Sequence, residues 1–370
     1  MADSRIRIAI VGCGDVAHRR YIPALRDLAE AVELVAVVDA RPDAVERARD
    51  AARATWPDVA GYTDVAVMAG SIRPDAALNV TPAPAHAPVS EALLAEGIHV
   101  YSEKPLARTL AEADRLIALA AERDLHLLCA PGEAVSRRGR WLAEIVASGR
   151  LGRVTLAVAH HADTGPAAWR QYTGDPTVFY GADVGPVFDH GVYRLHLMTA
   201  LLGPVRRVQA MGTLSEPTRK VRAGPLAGRT IDVTSPDHVL MNLEFATGAL
   251  GQLLSSFAAP GTLAPWLELH CTKGTISFAG KSWVTDAPAS IYLDDDSPLG
   301  LEGWVHGLRP PSPDDGRGVI EAGVAHFIAC LRGDETRVLT AEHARHVLDI
   351  ILKAYESIGD GRSHETETTM

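Results

Sequence analysis

The chain has few cysteines, no long apolar run and no excess of basic charge, and each absence removes a class of function. Its four cysteines, Cys13, Cys129, Cys271 and Cys330, are scattered without paired spacing. That gives no cysteine zinc motif and suits a reducing cytosol. No run reaches the roughly eighteen apolar residues of a membrane span. The opening MADSRIRIAIVG enters a strand directly, without a basic leader or a cleavage site, so no signal peptide is expected and the cytoplasm is the expected location. A net charge of −10 and a pI of about 5.8 argue against a nucleic-acid partner and against binding to anionic membranes. There is no internal repeat or low-complexity tract.

What is present is a globular composition, 47% hydrophobic and 22% charged over 370 residues, enough for two domains. The most informative stretch runs from Ala77 to Ala107. It reads as a buried strand to Val80, a proline-punctuated turn from Thr81 to Pro88, a helix, and a strand from Ile98 to Tyr101 that stops at Glu103-Lys104-Pro105. In an open parallel sheet, ligands bind beyond the carboxyl ends of the strands. A Glu-Lys pair pinned there by proline is a candidate chemical site; a surface ion pair beside ordinary strand punctuation is the alternative.

From the start of the chain, Arg5 to Val11 reads as a buried strand, followed by Gly12-Cys13-Gly14-Asp15-Val16-Ala17 and a helix from Ala17 to Ala31. This fits the G-x-G-x-x-G/A dinucleotide pattern. The first glycine permits the tight turn, and the second lets the backbone approach a pyrophosphate at a helix N-terminus. Strand two, Leu34 to Val38, ends at Asp39, where a carboxylate accepts hydrogen bonds from ribose hydroxyls and favours NAD. Arg41, beyond Ala40, is able to bind a 2′-phosphate, which keeps NADP possible. Asp39 could instead cap the helix Pro42 to Ala54.

The alternation of strands and helices continues through a helix at Leu110 to Arg123 and a strand at Leu125 to Cys129, predicting a doubly wound parallel sheet in residues 1–130. Residues 131–370 read differently. A helix at Arg137 to Ser148 precedes a strand at Val154 to His161, and the glycine-rich Gly181 to Gly185 leads into a helix at Pro186 to Leu202. Strand candidates follow at Val205 to Gly212, Asp237 to Phe245, Gly248 to Ala258, Trp266 to Cys271 and Gly274 to Phe278. Short turns between them predict a large, mostly antiparallel open sheet, an α+β domain. Leu293 to Arg317 reads as a long loop. Two helices, Val319 to Arg332 and Ala341 to Ile358, end the chain and are free to pack back on the first domain.

Together the Gly12/Gly14/Ala17 loop, the block Thr81, Pro82, His86, Glu103, Lys104, Pro105, and Gly185-Pro186-Val187-Phe188-Asp189-His190-Gly191-Val192-Tyr193 resemble the Gfo/Idh/MocA family of NAD(P)-dependent sugar and cyclitol oxidoreductases. The resemblance covers nearly the whole chain. Where the family reads D-x-G-x-H-x-x-D, this chain has Asp189, Gly191, Tyr193 and His196, a tyrosine variant. It implies a Rossmann domain plus a substrate domain, and a secondary alcohol or ketone of a sugar, glycoside or cyclitol as substrate. The cofactor-binding residues would be Gly12, Gly14, Asp15, Val16, Asp39, Ala40, Arg41, Thr81, Pro82, His86, Glu103 and Lys104. Glu133 falls in a loop where relatives carry a polar substrate contact.

Asp189 and Tyr193, four apart, share one helix face. Lys104, Asp189 and Tyr193 are the candidate catalytic set, with Tyr193 exchanging the hydroxyl proton, Lys104 lowering its pKa from about 10, and Asp189 orienting the sugar. Glu103 binds the nicotinamide ribose or anchors Lys104; His86 forms part of the cofactor shelf. Trp169 and Tyr172 stack on the sugar or anchor their loop. His190 and His196 flank Tyr193 as candidate proton relays or substrate contacts, or else as a partly buried histidine and a surface one; the contact role is favoured for His190 alone. Read without the resemblance, Tyr193 on an amphipathic helix is more often a core residue than a catalyst. His160, His161 and Asp163 offer metal ligands, but hydride transfer to a nicotinamide needs no metal, and none is expected. A half-covered sheet in the second domain predicts a homodimer or homotetramer. Two other readings stay open: a lyase or glycosidase that oxidises its sugar transiently and recycles NAD, and a dinucleotide-binding sensor without chemistry.

Overall fold

A computed structural model describes residues 5–170, 172, 174–181, 184–280, 287–294, 300, 302–312 and 315–370. The chain forms two compact units: Met1–Ser136 with Arg317–Leu348, and Arg137–Gly316 with Asp349–Met370. The C-terminal region is thus divided between the two units.

In the first unit the strands β1 (Ile6–Val11), β2 (Val32–Val38), β3 (Ala60–Tyr62), β4 (Ala76–Asn79), β5 (His99–Ser102) and β6 (Leu127–Cys129) form one sheet in the order β3-β2-β1-β4-β5-β6. All neighbours are parallel. Every residue of β4 is buried, as a parallel strand covered on both faces requires. Helices α1 (a π turn Ala17–Tyr21 continued by Ile22–Arg26), α2 (Pro42–Ala52), α3 (Val65–Ile72), α4 (Ala83–Ala95) and α5 (Leu110–Glu122) join the strands. The helix Val319–Arg332 adds Val324, Phe327 and Ile328 to the same core as Ile8, Ile10 and Leu25.

Two expectations need correction here. The helix after the glycine loop ends at Arg26, not Ala31, and residues 27–31 form turns. The stretch to Pro88 is not a turn, because α4 already starts at Ala83. Pro84 occupies the first turn, whose N–H groups lack helical partners anyway, and only Pro88 forfeits a helical bond. The short β3 and α3 fill the expected strand–helix alternation between residues 60 and 72.

The second unit holds α6 (Arg137–Ser148), β7 (Val154–Ala162), and α7, a π turn Val187–Gly191 continued by Val192–Leu202. Then come β8 (Val205–Thr213), β9 (Thr218–Lys220), β10 (Thr230–Asp232), β11 (His238–Phe245), β12 (Leu250–Ser256), β13 (Leu267–Cys271), β14 (Gly274–Phe278), β15 (Ala289–Leu293) and β16 (Gly303–Leu308). Nine strands form the main sheet, β16-β15-β14-β13-β7-β12-β11-β8 followed by a short strand at His364–Glu365. It is mixed: β7 and β12 run parallel, and the other pairings are antiparallel. The region expected to be one long loop contains β16. Of the glycine-rich approach to α7, residues 182 and 183 lie outside the described residues. A chain-terminal helix, Ala341–Asp360, spans the end of the first unit and the start of the second unit's C-terminal part.

Candidate active site

The residues expected to hold a dinucleotide follow the carboxyl ends of β1, β2, β4 and β5, flanking the point where the strand order reverses between β1 and β4. Gly12 has φ +98°, and a Cβ there would lie 2.7 Å from the backbone of Val80 and Thr81. Glycine is required on both counts. Gly14 is the opposite case: a Cβ there would meet nothing within 4 Å, so the backbone borders open space. The His18 N–H closes the first turn onto the Gly14 carbonyl at 3.3 Å. Asp15 pairs with Arg19 one turn on, the Arg19 Nε donating at 2.7 Å, and Val16 packs on the core.

Asp39 is not a helix cap; Arg41 holds the cap position of α2, without a side-chain bond. One Asp39 carboxylate oxygen instead accepts the Cys13 N–H at 2.9 Å, and the other accepts the Arg41 N–H at 2.9 Å. The carboxylate therefore ties the glycine loop to the end of β2, while each oxygen keeps lone-pair capacity for a hydroxyl. The Arg41 side chain is 61% exposed and its Nε lies 3.4 Å from the same carboxylate. Ala40 is exposed beside it.

The Glu103-Lys104-Pro105 turn is held from three directions. Glu103 accepts the Tyr21 hydroxyl at 2.7 Å with one oxygen and the Lys104 N–H at 3.0 Å with the other. On the far side, His86 places Nδ1 2.6 Å from the Pro105 carbonyl and Nε2 2.7 Å from the Thr81 carbonyl. Burial pulls the His86 pKa down, against the two carbonyls and Glu103, which push it up. Asn79, fully buried, accepts the Thr81 hydroxyl at 2.6 Å and donates to the His86 carbonyl at 2.9 Å. Pro82 caps α4. Beyond the turn, Thr109 and Glu112 cap α5 reciprocally, at 3.2 and 3.1 Å. Lys104 thus projects half-buried from a backbone fixed on both sides. Tyr21 and Asn79 carry much of this order, and no motif singled them out.

In the second unit, α7 is seated by the Ser255 hydroxyl, which donates to the Pro186 carbonyl at 2.8 Å. Asp189 and His190 are each 7% exposed, with Asp189 Oδ2 3.3 Å from His190 Nε2. Tyr193 follows, half-buried. His196 is 3% exposed, which corrects its reading as a surface residue. Its neighbour Arg194, also buried, lies over the Trp266 ring at 4.6 Å, so this part of α7 faces the core. Trp169 is anchored: its indole N–H donates to Asp163 at 3.1 Å, and its ring stacks on His190 at 5.0 Å. Tyr172 meets Trp169 edge-on at 6.3 Å. Lys104 belongs to the first unit, and Asp189 and Tyr193 to the second.

Both halves match one family. The profile described as "Oxidoreductase family, NAD-binding Rossmann fold" covers residues 6–130, and the "GFO/IDH/MocA C-terminal domain" covers residues 140–277. The chain belongs to the Gfo/Idh/MocA oxidoreductases. This Gfo/Idh/MocA chain is 30% identical over 286 residues to dTDP-3,4-didehydro-2,6-dideoxy-alpha-D-glucose 3-reductase of Streptomyces antibioticus, covering 73% of this chain and 82% of that one. It is 26% identical to D-glucoside 3-dehydrogenase of Escherichia coli, over 98% of this chain and 97% of that one. Its fold matches the WlbA dehydrogenase of Bordetella pertussis, solved with NADH and UDP-GlcNAcA, at a TM-score of 0.72 and 20% identity, covering 98% and 99% of the two chains.

The Gfo/Idh/MocA first unit is an NAD-binding domain, and its residues fit the group. Gly14 borders open space at the start of α1, and Asp39 retains acceptor capacity at the end of β2. Burial disfavours the thiolate at three of the four cysteines. Burial pushes the Cys13 thiol up to about 12, helped by Asp39; it raises Cys129 well above its usual range and Cys271 to about 11. No described helix is long and apolar enough to cross a membrane.

Proposed function

We propose that this enzyme exchanges a hydride between NAD and carbon 3 of a hexose ring carried as a glycoside or a nucleotide-linked sugar. The observation that carries the reading is the intact Glu103-Lys104-Pro105 turn. It is clamped by Tyr21 and His86 at the edge of a Rossmann sheet whose glycine loop leaves room for a pyrophosphate. Two relatives aligned over most of their length, named as a 3-reductase and a 3-dehydrogenase, support the choice of carbon.

The nicotinamide, when bound, gives or takes the hydride. The protein must bind the ring, orient the sugar and manage one hydroxyl proton. Gly12, Gly14, Asp39, Thr81 and Pro82 line the cofactor side of the first unit, with Asp15, Val16, Ala40 and Arg41 on the same loops. Glu103 takes the anchoring role, since one of its oxygens holds the Lys104 N–H and the other the Tyr21 hydroxyl of α1. Lys104 and Tyr193 act on one substrate hydroxyl: Tyr193 holds its proton, and the Lys104 ammonium stabilises the oxygen that loses it. Asp189 receives the neighbouring hydroxyls. His190, with Trp169 stacked on it and Tyr172 edge-on to Trp169, lies beside Asp189, and the three are assigned to contact the sugar.

Glycosides and nucleotide-linked hexoses, with inositols as controls, are to be scanned for absorbance change at the reduced-nicotinamide band, with NAD and NADP side by side. A 3-oxo product formed with stoichiometric NADH is expected. Sugar cleavage without net NADH would replace this reading with a lyase that recycles its cofactor. Lys104→Ala and Tyr193→Phe should each lower kcat about 100-fold or more while leaving NAD affinity within a few-fold. Wild-type turnover in either variant overturns the assigned roles.

A further inference from the structure

Alternation along β7 separates two adjacent histidines. His160 turns to one face of the sheet, with Nδ1 2.8 Å from the Pro265 carbonyl, while His161 turns to the other and is 6% exposed. Asp163 has the parity of His161 and lies just past the strand end, where its N–H donates to the Ser256 carbonyl at 3.1 Å. His190, from the π turn that opens α7, stacks on His161 with ring centroids 3.8 Å apart and planes 25° from parallel. One ligand atom from each of His161, Asp163 and His190 lies within 4.8 Å of the other two.

We infer that His161, Asp163 and His190 form a binding site for one zinc-class divalent cation, with water as the fourth ligand. Two imidazoles and a carboxylate are a borderline donor set that selects zinc over calcium or magnesium. Ligand atoms on one tetrahedral ion with bonds of about 2.1 Å lie roughly 3.4 Å apart. The observed limit of 4.8 Å exceeds that spacing, so binding would require side-chain rotations that open the stacked rings. The carboxylate is already oriented. One Asp163 oxygen accepts the Gly165 N–H at 2.7 Å and the other accepts the Trp169 indole N–H at 3.1 Å. Asp189 lies against His190 as the carboxylate that steadies a ligating imidazole. The ion would tie β7 to the opening turn of α7 and so fix the segment that carries Asp189 and Tyr193. It is a positioning site and takes no part in hydride transfer.

The test uses the full chain, made without a histidine tag and stripped with a chelator, then titrated with Zn²⁺ by calorimetry and with Co²⁺ by visible absorbance. One equivalent per chain, a four-coordinate Co²⁺ band and a change in Trp169 fluorescence, lost in Trp169→Phe, are expected. His161→Gln and Asp163→Asn should weaken Zn²⁺ binding at least 100-fold. Trp169→Phe, which keeps all three ligands, should weaken it about tenfold. Absence of stoichiometric Zn²⁺ and Co²⁺ binding to the stripped wild type overturns the site, whatever the variants do. So does binding that is unchanged in both His161→Gln and Asp163→Asn.

Discussion

Asp39 does two jobs with one carboxylate, and that makes cofactor choice testable at a single residue. Its oxygens hold the Cys13 and Arg41 N–H groups, and the proposed NAD ribose adds hydroxyl donors. Asp39→Ala removes a charge-assisted bond to NAD, on the order of 1.5 kcal/mol or more, and a repulsion against the 2′-phosphate of NADP. The ratio of kcat/KM for NAD over NADP should fall at least tenfold; an unchanged ratio in steady-state assays would remove Asp39 from the selectivity determinants. A second residue contributes to acid sensitivity. His343 is 4% exposed, and burial, aided by His346, drops its pKa to about 4. The folded value lies below the unfolded value of about 6.5, so the folded state binds the proton less well. Its stability contribution is intact above about pH 6.5 and is lost as pH falls from there toward 4, up to about 3 kcal/mol in all. Urea denaturation at pH 7.5 and 4.5 should show this loss in the wild type, and His343→Gln should reduce it by about one proton's worth of slope.

At the scale of elements, two of the helices that present site residues, α1 and α7, open with a π turn, Ala17–Tyr21 and Val187–Gly191. Such wide turns recur at functional sites, because they re-aim side chains without ending the helix. In the first, the turn's last residue is Tyr21, whose hydroxyl reaches Glu103. The C-terminal segment supplies a separate lesson. His364–Glu365 pairs with β8, and the tail is held by Asp349, fully buried, which accepts the Glu367 N–H at 2.6 Å and the Thr368 N–H and hydroxyl at 2.9 Å each. Asp349→Ala leaves those amides without their acceptor and frees the strand that covers the β8 edge. We expect a loss of about 3 kcal/mol, a Tm lower by roughly 6 °C or more, and faster hydrogen exchange in residues 205–213 and 364–368. A Tm within 1 °C of wild type, as an order-of-magnitude bound on a null effect, would show that the tail is held by other contacts.

At the scale of the whole molecule, the main sheet of the second unit leaves apolar residues on its outward face. Met211, Leu240 and Leu250 are 75%, 45% and 55% exposed, with Leu240 directly opposite both Met211 and Leu254 in register. Leu156 and Val158 continue the patch on β7, opposite Leu250 and Gln252. Four neighbouring strands carrying such a stripe, interspersed with Gln209, Asn242 and Gln252, suit an isologous dimer or a tetramer built from it. Light scattering at micromolar concentration should give a multiple of 39.4 kDa, and Leu240→Glu should shift it toward the single-chain mass. A monomeric wild type would leave the patch to another role.

Which parts of this were legible in the chain follows from how local each signal is. The glycine loop, Asp39, the Glu103-Lys104-Pro105 turn and the helix carrying Asp189 and Tyr193 are each written in a few consecutive residues, because strand period, helix period and steric permission at Gly12 act over that range. The sequence alone therefore determined the doubly wound sheet, the cofactor class and the family. Contacts made over long sequence separations were beyond it. Tyr21 meets Glu103 across 82 residues, and nothing in local propensity marks that hydroxyl among the chain's other tyrosines. The antiparallel strand β16 sits in a stretch that reads as loop because its pairing with β15, not its own residues, makes it a strand. His161, Asp163 and His190 became a cluster only when β7 and α7 packed together, since convergence of ligating atoms is a property of tertiary packing and not of spacing along the chain.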